Sequence, residues 1–330
     1  MVNMLSAHVL AQSLYVAAQL GLADLLAGGA KHVDELAGAT GADAPSLQRL
    51  LRMLAGEGVF REVQAGEFAL TPLGDTLRSD SPDSVLDRAL YLAAPEVWAA
   101  WGDFRHSVMT GGSAFEHAHG VPFYAHMAGH PQVGAQFNRW LTRSSEIDNA
   151  AVVAGYDFSP FRTVVDVGGG QGATLAAILR AYPSLRGILL DLPQVVEYAA
   201  PLRDPDLAER CEIVGGDMVR SVPTGGDAYV IKLVFTGEPD ERAVAVLRNC
   251  AGAMAEGGQV LVVDIVLPPG DEPSPSRTFD LLMLTLFGRG RIRTEAEFRA
   301  LFAAGGMELT KVIPTESAIN PMSILEGVPA

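Results

Sequence analysis

Four glycines in five residues, at 168, 169, 170 and 172, close an apolar run and open a helical one in RTVVDVGGGQGATLAAILRAYP. No other stretch narrows the choice of fold as far. Thr163–Val167 reads as a buried strand, residues 168 to 172 as a turn, and Ala173–Ala181 as a helix. In open α/β proteins such a turn brings bare backbone against a ligand at the carboxyl end of a strand. The dinucleotide pattern G-x-G-x-x-G would place a third glycine at 173, where this chain has Ala173, a tolerated variant.

The acids around that turn narrow the ligand. Asp166 stands two residues before the first glycine. A carboxylate there repels a pyrophosphate seeking the helix N-terminus and suits a ligand carrying an ammonium group. Asp191 ends the strand GILLD, about 20 residues beyond the loop, where an acid can take two ribose hydroxyls. A third strand runs into GGDM, where Asp217 can accept a bond from an adenine amine. Adenine, ribose and a cationic amino-acid tail without phosphate describe S-adenosylmethionine. The ordered set Asp166, Gly168, Gly170, Asp191 and Asp217 points there more strongly than any glycine loop alone.

The remaining sequence sets the frame. At 330 residues the chain exceeds one typical domain. Residues 1 to about 155 read as mostly helical, and the rest alternates strand and helix. The net charge of -15 argues against a nucleic-acid partner. Cys211 and Cys250 form neither a disulfide framework nor a zinc cluster and read as buried thiols of a cytoplasmic protein. The N-terminal run MVNMLSAHVLAQSLYVAAQLGLADLL has no basic residue before Lys31 and is broken by polar residues. It is neither a secretory signal nor a membrane span. It reads as a helix with a broad apolar face that a second subunit can cover.

Residues 33 to 77 suggest a winged helix: a short helix, a second helix from Ser46, and strands at Val59–Val63 and Glu67–Leu70 joined at Ala65-Gly66. The second helix offers only Arg49 and Arg52, so a packing module is the stronger reading and a DNA-reading regulator the weaker. Residues 96 to 150 hold all three tryptophans and five of the seven histidines. Their aromatics are core or the lining of an apolar pocket for a flat ligand. The spacing of His117, His119, His126 and His130 forms no clean metal set, and no metal is expected.

FRTVVDVGGGQG, LLDLPQVV, GGDMVRSVP, DERAVAVLRNCAGAMAEGGQVLVVDIVLP and HSVMTGGSAFEHAHG together resemble the class I S-adenosylmethionine-dependent O-methyltransferases of the caffeic acid and antibiotic-tailoring type. The resemblance spans nearly the whole chain. It implies an α/β protein: a seven-stranded Rossmann-like methyltransferase sheet in residues 156 to 330, a helical linker and substrate-pocket segment in 101 to 155, and a winged-helix-like dimerisation domain in 1 to 100. It implies a homodimer. By motif position it implies cofactor contacts at Gly168, Asp191, Leu192, Asp217, Met218 and Lys232, and a substrate pocket at Phe123, Asn138, Trp140 and Met283.

The chain departs from that family at two places. Members read K-x-x-L-H-D-W-x-D-E where this chain reads KLVFTGEPDE. Thr236 holds the position of the His base, Gly237 that of the Asp, and Glu238 that of the Trp. Asp264 in VVDIVLP keeps a second carboxylate, while Ile292 in GRIRT replaces a third. A threonine hydroxyl is no base near neutral pH.

Three functions remain open from the sequence. The first is methyl transfer to a hydroxyl of an aromatic, polyketide-type metabolite, driven by positioning, with Asp264 and Thr236 at the reacting end. The second is non-methylating chemistry such as hydroxylation, decarboxylation, cyclisation or rearrangement, with the sulfonium as a fixed charge and Arg289, Arg291 or His126 polarising the substrate. The third is a non-catalytic regulator. Plainer roles stand beside these. Thr236 would cap the helix starting near Asp240, Lys232 would snorkel, Asp264 would be a structural acceptor, Met283 and Trp140 would be core, and the arginines at 289, 291 and 293 would form a solvated turn.

Overall fold

The computed structural model describes residues 1–288, 290–317 and 320–330. The chain divides into two compact units, Met1–Asp103 with Ala118–Leu141, and Phe104–His117 with Thr142–Ala330. The bounds differ from a division at 100 and 155, because residues 104–117 and 142–155 group with the sheet.

In the first unit, helices Ala7–Gln19, Val33–Thr40 and Ala44–Gly56 accompany strands β1 (Lys31–His32), β2 (Phe60–Gln64) and β3 (Glu67–Leu70), in the order β1-β3-β2. The helix expected from Ser46 starts two residues earlier. Asp43 caps it, its carboxylate accepting the Ser46 amide at 3.0 Å. Leu47, Leu51 and Leu54 repeat at helical spacing and bury one face against Phe60 and Phe68. Arg52, half of that helix's basic content, pairs with Glu62 at 3.0 Å. Met1, Val2, Met4 and Leu5 are exposed.

The second unit is built on β4 (Thr163–Val167), β5 (Arg186–Asp191), β6 (Cys211–Gly215), β7 (Ala228–Lys232), β8 (Gln259–Leu267), β10 (Met307–Pro314) and β11 (Met322–Pro329), with the short β9 (Arg293–Thr294) beside β8. The strand order is β10-β11-β8-β7-β4-β5-β6. Strands β4 to β8 are parallel, and β11 runs antiparallel to both β8 and β10. This is the expected seven-strand path, with β9 added at its flank.

The parallel strands are continuous apolar runs because both faces are covered. Alternation sorts them. Val164, Leu189, Val230, Leu261 and Val263 pack on one side with the helix Ala173–Ala181. Val165, Leu190, Ile231, Val260 and Val262 pack on the other with the helices Asp240–Ala253 and Glu295–Ala304. The chain leaves β4 towards β5 and returns later to β7 on its other side, which makes the end of β4 a topological switch point. No helix among the described residues is long and apolar enough to cross a membrane.

Candidate active site

A cleft of about 190 Å³ opens at the carboxyl ends of β4, β5 and β6. Gly168, Asp191, Leu192, Gly216, Asp217, Met218, Val234, Glu238 and Arg242 line it. The glycine loop forms one wall. Gly168 has φ +68°, and a Cβ there would come within 2.9 Å of Val234 and 3.3 Å of the Met218 sulfur, both cleft residues. Bare backbone is therefore needed for the cleft to exist. Asp191 ties itself to that wall, accepting the Gly170 amide at 2.8 Å and the Leu192 amide at 2.7 Å. Asp217 accepts the Val219 amide at 3.0 Å and is otherwise open to the cleft apart from a distant Arg220, 4.0 Å away.

Of the residues expected to hold a cofactor, Gly168, Asp191, Leu192, Asp217 and Met218 line the cleft. Asp166, Gly170 and Lys232 are not among its lining residues. The Asp166 side chain is fully buried, and a Cβ at residue 169 would collide with its carboxylate. Neither oxygen has a well-formed hydrogen bond among the described residues, although the Leu175 amide stands near enough to favour the charged form. Burial pushes its pKa up to about 7, against the pull of the nearby Lys232. Lys232 does not snorkel. Its ammonium donates to Asn149 Oδ1 at 2.7 Å and to Ser145 Oγ at 3.5 Å, and Thr174 donates to the same Asn149 oxygen at 3.0 Å. Burial lowers the Lys232 pKa, while Asp148 and Asp166 support its charge. Asn149 and Ser145 lie more than eighty residues before Lys232 in the chain, and no local pattern in the sequence marks them.

The turn that replaces the family's His-Asp-Trp follows β7. Leu233 has φ 54°, a left-handed backbone rare outside glycine. Thr236 then meets Asp264. The Thr236 hydroxyl donates to Asp264 Oδ1, the Thr236 amide donates to Oδ2 at 3.1 Å, and the Ile265 amide donates to Oδ1 at 2.8 Å. Thr236 therefore does not cap the helix Asp240–Ala253, whose N-cap is Pro239. Burial pushes the Asp264 pKa up to about 6 despite the Thr236 hydrogen bond.

Arg293 holds the turn from behind and corrects the reading of a solvated arginine triplet. It is 1% exposed. Its guanidinium donates to the Phe235 carbonyl, to the Glu238 carbonyl at 2.7 Å, and to Asp240 at 2.8 and 3.0 Å. Arg291 donates its amide to the Thr236 carbonyl at 3.1 Å and pairs in half-exposed positions with Asp240 and Glu297, which commits its charge. Ile292 is core.

The residues expected at the substrate fall in two places. Met283, on the helix Pro275–Phe287, lies near the turn: a Cβ at Gly290 would stand 3.2 Å from both Met283 Cβ and the Thr236 carbonyl. Phe123, His126, Asn138 and Trp140 belong to the first unit. Phe123 and Trp140 join Tyr91 and Phe137 in one aromatic cluster, with Tyr91 stacked on Trp140 at 4.7 Å between centroids. Asn138 is exposed. His126 is buried between His119 and His130, and burial and those neighbours lower its pKa, so it is no fixed cation. Arg289 lies outside the described residues.

Residues 101–308 match the O-methyltransferase domain, and residues 2–80 match the O-methyltransferase dimerisation domain. The chain belongs to the O-methyltransferase family. It is 44% identical to the phenazine O-methyltransferase PhzM of Lysobacter antibioticus, over 100% of this chain and 95% of that protein. It is similar in structure to CalO1, a methyltransferase in calicheamicin biosynthesis solved in its S-adenosylhomocysteine-bound form, with a TM-score of 0.91 at 37% identity over 100% and 97% of the two chains. It is also similar to NcsB1, an O-methyltransferase from neocarzinostatin biosynthesis solved with S-adenosylmethionine and 2-hydroxy-5-methyl naphthoic acid. There the TM-score is 0.75 at 34% identity over 97% and 96%.

Two outcomes follow for this O-methyltransferase. Arg293→Ala strips three acceptors of a buried cation and is expected to lower the unfolding free energy by about 3 kcal/mol, measured by urea denaturation. Asp166 binds its proton more tightly when folded than when unfolded, so its own contribution to stability falls as pH rises from 3.8 to about 7. Asp166→Asn removes that loss. Unfolding at several pH values should show the variant gaining on the wild type by up to a few kcal/mol across this window, with no further gain above it.

Proposed function

We propose that this chain transfers a methyl group from S-adenosylmethionine to a hydroxyl of an aromatic, polyketide-type metabolite, as a homodimer through its N-terminal domain. The cleft carries this reading: a bare glycine wall followed by acids at two successive strand ends, in a member of the O-methyltransferase family. Among the described residues three carboxylates line the cleft, Asp191, Asp217 and Glu238, against the single cation Arg242, and this balance suits a cationic ligand and disfavours a pyrophosphate. Asp191 takes the ribose hydroxyls, and Asp217 and Met218 take the base. Leu192 and Val234 supply apolar contact, and Lys232 and Asn149 brace the loop. Met283, beside the turn at Thr236, meets the aromatic acceptor.

When bound, the cofactor supplies a methyl group on a sulfonium whose departure leaves a neutral thioether. The protein's share is alignment of acceptor, methyl and sulfur, and exclusion of water. The Thr236 hydroxyl donates its hydrogen bond to Asp264 and is too weak a base to accept the acceptor's proton, so the acceptor arrives acidic enough to be partly ionised. The similar proteins are named methyltransferases, most of them O-methyltransferases and two N-methyltransferases, which favours methyl transfer over the non-methylating chemistry.

Incubation with S-adenosylmethionine and a panel of hydroxylated phenazines and naphthoates should release S-adenosylhomocysteine in step with a product heavier by one methylene. Acceptor consumed with the cofactor intact would sink the reading. Thr236→Ala should change kcat/KM by less than about tenfold, because no acid–base contribution is lost. A fall of more than about 100-fold would make the Thr236–Asp264 pair part of the proton path.

A further inference from the structure

We propose that Arg242, tethered by Glu238, is a specificity residue that recognises the purine end of the ligand in this cleft. The inference rests on the functional reading above. Arg242 and Glu238 both line the cleft and are paired through Arg242 Nε and Glu238 Oε2. Glu238 is mostly covered, whereas half of the Arg242 side chain is exposed. The Arg242 Nη groups have no hydrogen-bond partner among the described residues.

The position of this arginine is locally unfavourable. It lies in the first turn of the helix Asp240–Ala253, where Asp240 and Glu241 suit the helix dipole and a cation opposes it. Residues that break a local rule concentrate at functional sites, and here the one compensating contact among the described residues is the pair with Glu238. Arg242 is also the one cation in a lining that includes Asp191, Asp217 and Glu238. An ion pair with Glu238 alone would serve equally well facing solvent.

The layout of the cleft selects the purine. Asp191 is bound to the glycine loop through Gly170, which leaves Asp217, Met218, Glu238 and Arg242 for the part of the ligand beyond the ribose. A guanidinium is planar. It can cover the face of a purine and donate to its ring nitrogens, which are acceptors. Glu238 fixes the plane by holding Nε, so less side-chain freedom is lost on binding. No covalent step is involved.

The test is calorimetric titration of the full chain with S-adenosylhomocysteine and with 5'-methylthioadenosine, which keeps the purine and ribose but has no amino-acid tail. Arg242→Ala is expected to weaken both ligands by a similar factor, about tenfold. Arg242→Lys should recover less than half of that loss on a logarithmic scale, because an ammonium has no planar face. Glu238→Gln should weaken both by about threefold through the lost tether. All three variants should melt with the wild type, since both side chains lie at the rim. If the wild type binds S-adenosylhomocysteine and Arg242→Ala binds it within twofold, the inference fails while the functional reading stands. A loss confined to S-adenosylhomocysteine would place Arg242 at the tail and overturn the purine assignment. A wild type that binds neither ligand overturns both.

Discussion

Everything in the candidate site depends on parallel strands ending side by side. The ends of β5, β4 and β7 are adjacent only because β4 is the switch point of the sheet. That constraint brings residues 168, 191, 217 and 234 to one opening from four separate stretches of chain. The glycine loop then needs a brace. Asp191 provides it from the cleft side, and Asp166, Lys232 and Asn149 provide it from behind. A buried carboxylate without a well-formed hydrogen bond is costly, and with its pKa pushed up to about 7 Asp166 is only partly ionised near neutral pH.

The turn after β7, which the resemblance matches to a His-Asp-Trp stretch, is closed by hydrogen bonds of its own. Where the family's His would stand, a hydroxyl closes onto Asp264 and the amides of residues 236 and 265 fill the rest of that carboxylate. Arg293 then fixes the turn by its carbonyls. The left-handed Leu233 shows that the surroundings over-determine this backbone. Such a turn is a rigid floor, which suits chemistry that relies on alignment.

Much of this was legible in the sequence because it is written locally. The strand, turn and helix around Gly168 were read with the bounds they have, since apolar runs and glycine punctuation are short-range signals. Asp191 and Asp217 could be placed because the first ends a strand and the second follows the next strand by two residues. What could not be read was long-range pairing. Asn149 meets Lys232 across more than eighty residues, and Arg293 meets Phe235 and Glu238 across more than fifty. Arg293 looked like part of a solvated turn because two other arginines surround it, and only packing distinguishes the buried one. Asp166 was read as facing a ligand; strand alternation instead sends it to the face of the helix Ala173–Ala181, under the loop.

The central claim is methyl transfer to an acceptor that needs no base from the protein. The most direct test is the pH dependence of kcat/KM for two hydroxylated naphthoates whose phenols differ in acidity. The account predicts that the inflection moves with the acceptor's own ionisation. A shared inflection near 6, where Asp264 titrates, would contradict it and make that carboxylate the base.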